Sequence, residues 1–448
     1  MNDKVVFVVF GGTGDLMKKK LVSAFSSLLY KENLSKESSI IGIARGNFTD
    51  EGYKELLIDN AKNDEEKEKI KKLNIKFYRG DASHPETLKN LGALIDSTEI
   101  KDKIFYLATS FKLFPDIINE LKNQNLNEER YGFSRIVFEK PFGYNFESSA
   151  ELDNKIKKVF SEEQIFRIDH YVAKETVQNI TILKFTNPIF EGLLNNKMVE
   201  SIELIFDENF GVENRISYYN DVGAIKDMIQ SHLLQVLSLI LMDRPSKIDA
   251  EKIHDEKIKV LKNIEFLNSN SNLIGQYKSY GKEALKYEIK NSRIETFAKI
   301  LLNCKTERWN RTKLILRTGK KLQDKKSQII IKFKSFGERS NIMGAKDNKI
   351  VIDIFPKQDV RIFMNTRRPG KFLEVEPISF DFCHEEYFGP NTSDEYATLL
   401  GEVIRGEKTL FIRSDELNES WKIVDKIESI KDKIPFVVYE DGSDAESI

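Results

Sequence analysis

The apolar positions at the start of the chain form a short continuous block that gives way to a segment of helical periodicity. Val5 to Phe10 is an unbroken β-branched and aromatic run, which is typical of a strand buried on both faces of a parallel sheet. A glycine turn follows at 11–14, and apolar residues then recur at helical spacing over 18–30. The pattern therefore predicts a strand, a tight turn and a helix in that order.

Further strand-like blocks follow, separated by segments long enough for helices. A helix is predicted near 53–61, and strands are predicted at 40–44, 75–78, 103–108 and 135–138. Alternating strands and helices of this length favour a doubly wound parallel sheet. The charged run 62–72 is interpreted as an exposed helix or loop without a function, and the acidic tail 440–448 is expected to be frayed.

Beyond residue 168 the strand-like segments become longer and alternate between apolar and polar side chains, as at 201–206, 329–333 and 350–354. One-sided alternation is typical of an antiparallel sheet with one covered face. We therefore predict two domains. Residues 1–168 form a doubly wound, Rossmann-like α/β domain, and residues 169–448 form an α+β domain with a large, mostly antiparallel sheet covered by helices.

The composition of the chain mainly excludes classes of protein. The chain has 448 residues, 40% hydrophobic and 31% charged, which suits a globular protein with two cores. Its 70 Lys and Arg balance 71 Asp and Glu, so the net charge of -1 attracts neither nucleic acid nor an anionic membrane. Cys304 and Cys383 lack metal-site spacing, and no metal is expected. The first apolar block is too short for a signal peptide or a membrane span, so we expect a cytoplasmic protein.

The glycine turn and the end of the second predicted strand indicate a dinucleotide site. Gly11, Gly12 and Gly14 stand between a buried strand and a helix, where backbone N–H groups and the positive helix end suit a pyrophosphate. Their spacing differs from GxGxxG, and a plain helix start is the alternative. After the second strand comes Arg45, without the acid that an NAD site places on the ribose. This favours NADP, with an ordinary surface charge as the alternative for Arg45.

The segment 167–175 concentrates chemically active side chains. It reads Arg-Ile-Asp-His-Tyr-Val-Ala-Lys-Glu, and so combines cations, an imidazole, a phenol and two carboxylates. Such a segment suits a phosphorylated polar substrate. The alternative is a solvated, ion-paired helix face of small energetic value.

A second such segment, 221–235, is predicted to become helical after Gly223 and contains Asp227 and His232. Imidazole suits a general base for hydride chemistry once a carboxylate fixes its tautomer, although a lone histidine is more commonly an ordinary helix residue. Asp227 lies five residues from His232, which is oblique on an α-helix. Asp169 is therefore the better candidate partner.

Several sequence blocks resemble those of the glucose-6-phosphate dehydrogenase family in its short bacterial form. The most specific pair is RIDHYVAKETVQN at 167–179 with DVGAIKDMIQSHLLQ at 221–235. The other blocks are GGTGDL at 11–16, EKPFG at 139–143, ENFGVENR at 208–215, RTGKKL at 317–322 and TLFIRSDE at 409–416. The resemblance therefore covers nearly the whole chain.

The resemblance implies oxidation of glucose 6-phosphate at C1 to 6-phosphoglucono-1,5-lactone, the first oxidative step of the pentose phosphate pathway. His232 matches the general base that takes the C1 hydroxyl proton, and Asp169 matches its paired carboxylate. The implied cofactor is NADP, with NAD as a weaker second one. The implied substrate residues are His170, Tyr171, Lys174, Glu208, Asp227, Lys320, Lys325, Lys140 and Lys20. The implied cofactor residues are Gly11, Thr13, Gly14, Asp15, Leu16, Arg45, Asp81 and Lys140.

The chain also departs from the family pattern. Thr109-Ser110-Phe111 replaces a turn that usually contains proline, which leaves the shape of the nicotinamide-side loop open. Val172-Ala173 replaces Leu-Gly, and Ser231 replaces Asn before the base. The peptide before Pro141 is expected to be cis, as the family implies.

The resemblance further implies a homodimer or a dimer of dimers, formed through the large sheet of the second domain. One alternative function is a related dehydrogenase of another hexose phosphate or of free glucose, but His170 and three lysines, Lys174, Lys320 and Lys325, argue against a free sugar. Another is a catalytically silent sensor of NADPH or sugar phosphate. A sensor would not need a base paired with a carboxylate, which His232 and Asp169 provide.

Overall fold

The structure is a computed structural model that describes residues 4–31, 34–335, 344–371, 374–383, 386–387, 389 and 394–448. The chain forms two compact units: Met1–Ala173 with Ile248–His254 and Ser393–Asn418, and Lys174–Lys247 with Asp255–Thr392 and Glu419–Ile448. The segments 248–254 and 393–418 thus group with the first unit, although they lie far along the chain. A division between residues 168 and 169 remains our proposal for the two functional halves.

The first unit is built on a parallel sheet. Its described strands are β1 Val5–Phe10, β2 Ser39–Ala44, β3 Asn74–Arg79, β4 Asp102–Leu107, β5 Ser134–Phe138 and β6 Ile165–Arg167. They pair in parallel in the order β3-β2-β1-β4-β5-β6, which is that of a doubly wound dinucleotide-binding fold. Every side chain of β1 is buried, which accounts for its unbroken apolar run. The predicted doubly wound sheet is confirmed.

Helices connect these strands. A π-helical segment, Met17–Leu21, runs directly into the first α-helix, where the periodicity predicted a single α-helix over 18–30. The charged run forms a helix whose Lys side chains pair with Asp and Glu at i,i+3 and i,i+4, as expected for an exposed segment. The helices are α1 Val22–Tyr30, α2 Asp50–Ile58, α3 Asp64–Lys71, α4 Leu91–Asp96, α5 Phe114–Asn123 and α6 Phe146–Lys157.

The second unit contains a mixed, mostly antiparallel sheet. Its described strands are β7 Val199–Asp207, β8 Ile264–Phe266, β9 Leu273–Tyr277, β10 Phe297–Cys304, β11 Lys313–Gly319, β12 Lys326–Phe333, β13 Lys349–Phe355, β14 Asp359–Arg367, β15 Val375–Cys383 and β16 Phe436–Tyr439. The order is β15-β14-β13-β12-β7-β11-β10-β9-β16, and β8 pairs with β10. Among the described pairs, β7 with β11 and β9 with β16 are parallel. The predicted large antiparallel sheet is confirmed in its main part.

Helices cover one face of this sheet. The side chains of β12 alternate between buried and partly buried positions, which matches the one-sided pattern of its sequence. A second π-helical segment, Ile225–Leu233, packs on β7 and β11. The remaining α-helices among the described residues are α7 Glu175–Thr186, α8 Pro188–Leu193, α9 Ile216–Ala224, α10 Leu234–Leu241, α11 Ala250–Lys262, α12 Tyr280–Leu285, α13 Glu395–Arg405 and α14 Ser414–Glu428. Within the described ranges, no helix has both the length and the apolar character that spanning a membrane requires.

The expectation of a frayed C-terminal tail is wrong. The Ser443 carbonyl accepts a hydrogen bond from the Gln323 backbone at 2.9 Å, and Ala445 belongs to a buried cluster with Tyr439. The Arg317 guanidinium, whose side chain is 1% exposed, pairs with Asp207 at 2.9 Å and Glu446 at 2.5 Å. A buried guanidinium requires charged partners. The pairing of Arg317 with Glu446 therefore holds the acidic tail in place.

We predict that Asp207→Ala lowers the free energy of unfolding by about 3–5 kcal/mol, because it leaves the buried Arg317 charge without its buried partner. Glu446→Ala is the matched control. The Glu446 side chain is 63% exposed, so its removal should cost no more than about 1 kcal/mol. Denaturant unfolding of both variants measures the difference, and equal losses would contradict this account of the pair.

Candidate active site

The glycine turn after β1 brings backbone unusually close to its neighbours. The N–H groups of Gly11 and Gly12 donate to the Ile43 carbonyl at 3.1 and 2.8 Å. A Cβ on Gly11 would lie 2.4 Å from the Ala108 carbonyl oxygen, and one on Gly12 would lie 2.8 Å from the Gly42 Cα. Gly11 also has a positive φ of 90°, which glycine adopts without strain. The turn therefore offers the side-chain-free backbone approach that a pyrophosphate requires.

A cleft of about 570 Å³ opens beside this turn, at the carboxyl ends of β1, β2 and β3. This is the edge of a doubly wound sheet at which ligands bind. Of the predicted cofactor residues, those that line the cleft are Gly11, Thr13, Gly14, Arg45 and Asp81. Within the described chain, Asp15 and Leu16 are not among its lining residues, and Asp15 instead pairs with Lys19 at 3.0 Å.

The two charged residues of the cleft differ in how they are held. The Asp81 carboxylate accepts hydrogen bonds from the Ser83 hydroxyl at 2.7 Å and the Ser83 N–H at 3.0 Å. These bonds from Ser83 lower the pKa of Asp81 and fix its carboxylate within its own turn. Arg45 follows β2 and is exposed at the cleft. Its guanidinium is the cation that can meet an anionic ligand there.

The loop with the unusual Thr109-Ser110-Phe111 sequence adjoins the same cleft. Thr109 and Leu113 line the cleft, and the Ser110 hydroxyl accepts a hydrogen bond from the Lys112 N–H at 3.4 Å. This bond caps a short 3-10 turn, Phe111–Leu113. A serine cap therefore shapes this turn.

The EKPFG block begins with Glu139, whose partly buried carboxyl group lies within the first unit. The Tyr106 hydroxyl donates to Glu139 at 2.5 Å, and Tyr396 also hydrogen-bonds this carboxylate. Burial raises the pKa of Glu139, the Tyr106 hydrogen bond lowers it, and the charge of Asp169 adds to the rise. The next peptide, Lys140–Pro141, is cis, as expected.

The RIDHY block begins on β6 and supplies Asp169 with a local hydrogen bond. Asp169 is 1% exposed, and its Oδ1 accepts from the Tyr171 N–H at 2.9 Å. The rings of His170 and Tyr171 lie 4.9 Å apart, centroid to centroid. This turn therefore fixes a buried carboxylate immediately before two side chains that can donate hydrogen bonds.

Arg167 belongs to the cation-rich segment 167–175, but its charge is buried in ion pairs within the first unit. It is 2% exposed, pairs with Glu162 at 2.6 Å and also pairs closely with Asp153. The Ile412 N–H donates to the Arg167 carbonyl at 3.0 Å, and the Ser414 hydroxyl donates to Asp153 at 2.6 Å. The TLFIRSDE block thus supports the strand that precedes Asp169.

In the second unit, the parallel pairing of β7 with β11 brings two predicted residues together. Glu208 follows β7 and Lys320 follows β11, so both lie at the carboxyl ends of adjacent parallel strands. Lys320 Nζ lies 2.5 Å from Glu208 Oε2 and 3.9 Å from Asp227 Oδ2. Lys320 and Asp227 are only 8% and 7% exposed. The Lys320 ammonium group therefore lies between two carboxylates at the ends of adjacent strands.

Aromatic rings surround these lysines, and the sequence pattern did not reveal their role. Lys320 Nζ lies 5.2 Å from the Tyr219 ring centroid and 5.7 Å from that of Phe210. Lys325 Nζ lies 5.6 Å from Phe210 and 4.5 Å from Phe355. Lys320 is buried, and rings at these distances stabilise an ammonium group that has lost part of its water, whereas Lys325 is exposed. The position of Phe210 in the ENFGVENR block was the available signal.

His232 and Asp227 lie on the π-helical segment Ile225–Leu233. Hydrogen bonds in a π-helix join residues i and i+5, so these two residues are one backbone repeat apart. On this segment the two side chains therefore point in more similar directions than residues five apart on an α-helix would. His232 is 1% exposed. The expectation that this segment becomes helical after Gly223 is confirmed, since Gly223 has non-helical angles and the π-helical segment follows it; the helical turns from Ile216 that precede the break were not predicted.

The predicted site residues are thus distributed over both units. Lys20 is exposed on the π-helical segment Met17–Leu21, and Lys174 immediately precedes α7. The structure brings Glu208, Asp227 and Lys320 together in the second unit. The pairing of His232 with Asp169 joins residues of different units and stays a prediction.

Comparisons with known proteins agree over both units. A model described as "Glucose-6-phosphate dehydrogenase, NAD binding domain" matches residues 8–179, and one described as "Glucose-6-phosphate dehydrogenase, C-terminal domain" matches 181–447. Glucose-6-phosphate 1-dehydrogenase of Borreliella burgdorferi is 36% identical over 437 residues, which are 94% of this chain and 90% of the relative. That of Cyberlindnera jadinii is 34% identical over 451 residues, covering 96% and 90%.

A solved structure shows the same fold. It is a glucose-6-phosphate dehydrogenase in complex with its substrate glucose-6-phosphate, with a TM-score of 0.90 and 30% sequence identity. The match covers 99% of this chain and 96% of that chain. The similarity therefore extends through both sheets.

Proposed function

We propose that this chain, which belongs to the glucose-6-phosphate dehydrogenase family, oxidises glucose 6-phosphate at C1 and uses NADP as the hydride acceptor. As a member of that family it is an oxidoreductase that acts on a CH–OH group with a nicotinamide cofactor. The observation that carries the proposal is the placement of Lys320 between Glu208 and Asp227, at the carboxyl ends of β7 and β11. These groups match the charged and hydroxyl-rich character of a sugar phosphate.

His232 is the proposed general base. It takes the proton of the C1 hydroxyl as C1 loses hydride and becomes the carbonyl carbon of the lactone. Asp169 is its proposed partner, which holds the tautomer and stabilises the imidazolium that forms. Bound NADP supplies the hydride acceptor, and the products are NADPH and 6-phosphoglucono-1,5-lactone. The assignment of His232 as the base is supported by its burial and by its position on the same π-helical segment as Asp227.

The remaining polar side chains are proposed to bind the substrate. Glu208 and Asp227 accept hydrogen bonds from sugar hydroxyls, because an ionised carboxylate has acceptor oxygens and no donor. A phosphate dianion requires several cations or N–H donors. The proposed phosphate and reacting-centre residues are His170, Tyr171, Lys174, Lys320, Lys325, Lys140 and Lys20.

The cofactor preference is proposed to be NADP, with weaker use of NAD. The exposed guanidinium of Arg45 at the cleft supports this preference, because it can donate two hydrogen bonds to a ribose phosphate. Gly11, Thr13, Gly14 and Asp81 line the same cleft, and the proposed set also includes Asp15, Leu16 and Lys140. The alternative role of Arg45 as an ordinary surface charge is an outcome of the test below.

A homodimer or a dimer of dimers is proposed to form through the large sheet. The outer strands β14 and β15 support this, since they expose Met364, Ile378 and Phe380 at 47%, 37% and 57%. Apolar side chains grouped on neighbouring strands are typical of an interaction surface. A twofold assembly would bury this surface against its own copy.

We predict that His232→Asn lowers kcat about 10²- to 10⁴-fold with little change in the affinity for glucose 6-phosphate, because the variant lacks the base. NADPH formation at 340 nm and substrate titration measure the two quantities. Near-normal turnover with unchanged affinity would contradict the mechanism.

In the same assay, the wild type should prefer glucose 6-phosphate to glucose and other hexose phosphates. Binding of glucose 6-phosphate without turnover would instead support a sensor.

We predict that Arg45→Ala reduces the ratio of kcat/KM for NADP to kcat/KM for NAD about 10- to 100-fold, since charge-assisted hydrogen bonds to the ribose phosphate are lost. Arg405→Ala is the control, because that residue is paired with Glu402 on α13. It should leave the ratio unchanged. An unchanged ratio in Arg45→Ala as well would remove Arg45 from the cofactor site.

We predict that the wild type sediments as a dimer or tetramer and that Phe380→Glu sediments as a monomer, because a charge on this sheet face opposes its burial. Tyr131→Glu is the control, as Tyr131 is 83% exposed in the first unit. Analytical ultracentrifugation measures all three masses. A monomeric wild type, or a Phe380→Glu variant with the wild-type mass, would contradict assembly through this face.

A further inference from the structure

Gly223 interrupts the helical backbone directly before the segment that carries Asp227 and His232. Its φ of 69° and ψ of 174° separate α9 from the π-helical segment Ile225–Leu233. Glycine adopts such angles readily, whereas other residues do so at a cost. The break creates a new helix start, whose first N–H groups have no carbonyl partner in a preceding turn.

Glu295 provides partners for two of these N–H groups. Its backbone carbonyl accepts from the Ala224 N–H at 2.9 Å, and its Oε1 accepts from the Ile225 N–H at 3.1 Å. A Cβ on Gly223 would lie 2.2 Å from the same Oε1. The glycine thus allows the carboxylate to approach the backbone that it holds.

The Glu295 carboxylate is itself held by a chain of charges. Its side chain is 0% exposed and pairs with Lys431. Lys431 lies 3.4 Å from Glu428, whose other oxygen lies 3.6 Å from Lys226 on the π-helical segment. Burial raises the pKa of Glu295, and the charge of Lys431 opposes this rise. A carboxylate at a helix start also interacts favourably with the helix dipole.

The middle of the same segment has a separate support. The Gln230 amide donates to the Ser420 hydroxyl at 2.9 Å, and both side chains are buried. The segment packs on β7 and β11, the strands that end at Glu208 and Lys320. Its position therefore determines where Asp227 and His232 stand relative to those strand ends.

We propose that Glu295 is a positioning residue for the reaction: its carboxylate, backed by Lys431, fixes the start of segment 225–233 and thereby the placement of Asp227 and His232. The kinetic consequence rests on the proposed function, whereas the structural consequence does not. Displacement of a catalytic group by about 1 Å can cost about 10²-fold in rate. Glu295 does this without contact with the reacting atoms.

The test compares two double variants that both remove the buried charges. E295L/K431M removes the hydrogen-bond acceptor, whereas E295Q/K431M keeps an amide oxygen for the Ile225 N–H. Neither leaves an unpaired buried charge, which is the change that would destabilise the fold most. D353N/R361M is the control, because it removes another ion pair of the same unit. We expect kcat to fall about 10- to 100-fold in E295L/K431M, with KM for NADP within about threefold of the wild type. E295Q/K431M and the control should stay within about threefold for both.

A second measurement does not depend on activity. The chain has 5 histidines, so ¹³C labelling at histidine Cε1 gives few resonances, and His232→Asn assigns the relevant one. E295L/K431M should move the His232 resonance and leave that of His84 in place, and E295Q/K431M should move neither. An unmoved His232 resonance, wild-type kcat in E295L/K431M, or equal losses in both double variants would overturn the inference. If the wild type did not oxidise glucose 6-phosphate, only the proposed function would be refuted. The His232 resonance would still test the positioning role of Glu295.

Discussion

The helix break at Gly223 is the constraint on which the second half of the site depends. Without it, the backbone of α9 would continue unbroken, and the Glu295 carboxylate would have no N–H group to hold at Ile225. The nine-residue segment that follows the break is π-helical and packs on β7 and β11. From that position Asp227 reaches Lys320, 3.9 Å away at the end of β11. A local conformational feature of one glycine therefore controls a charged cluster.

The first unit relies on a similar use of glycine for a different purpose. At Gly11 and Gly12 the absence of side chains allows backbone to lie against Ala108 and Gly42, while both N–H groups donate to the Ile43 carbonyl. The surrounding charges are held by local turns, as Asp81 is by Ser83. In both units, close backbone approach positions the polar groups, and buried hydrogen bonds then limit their movement.

Much of the fold and of the site could be predicted from the sequence, because burial on both faces or on one face leaves a periodic record. That record marks β1 and β12, and the motif blocks mark Lys320 and Asp227. The periodic pattern does not distinguish a π-helix from an α-helix over so few residues. The direction of the His232 side chain relative to Asp227 was therefore not predicted. The buried role of Arg167 and the ordered tail around Glu446 depend on partners distant in the chain. Sequence periodicity carries no information about such pairs.

The central claim is that this chain removes hydride from C1 of glucose 6-phosphate and passes it directly to the nicotinamide ring. The most direct measurement uses glucose 6-phosphate deuterated at C1, with mass spectrometry of the NADPH formed by the purified protein. The account predicts one deuterium in each NADPH molecule. NADPH without deuterium, or consumption of the sugar phosphate without any reduced nicotinamide, would contradict it.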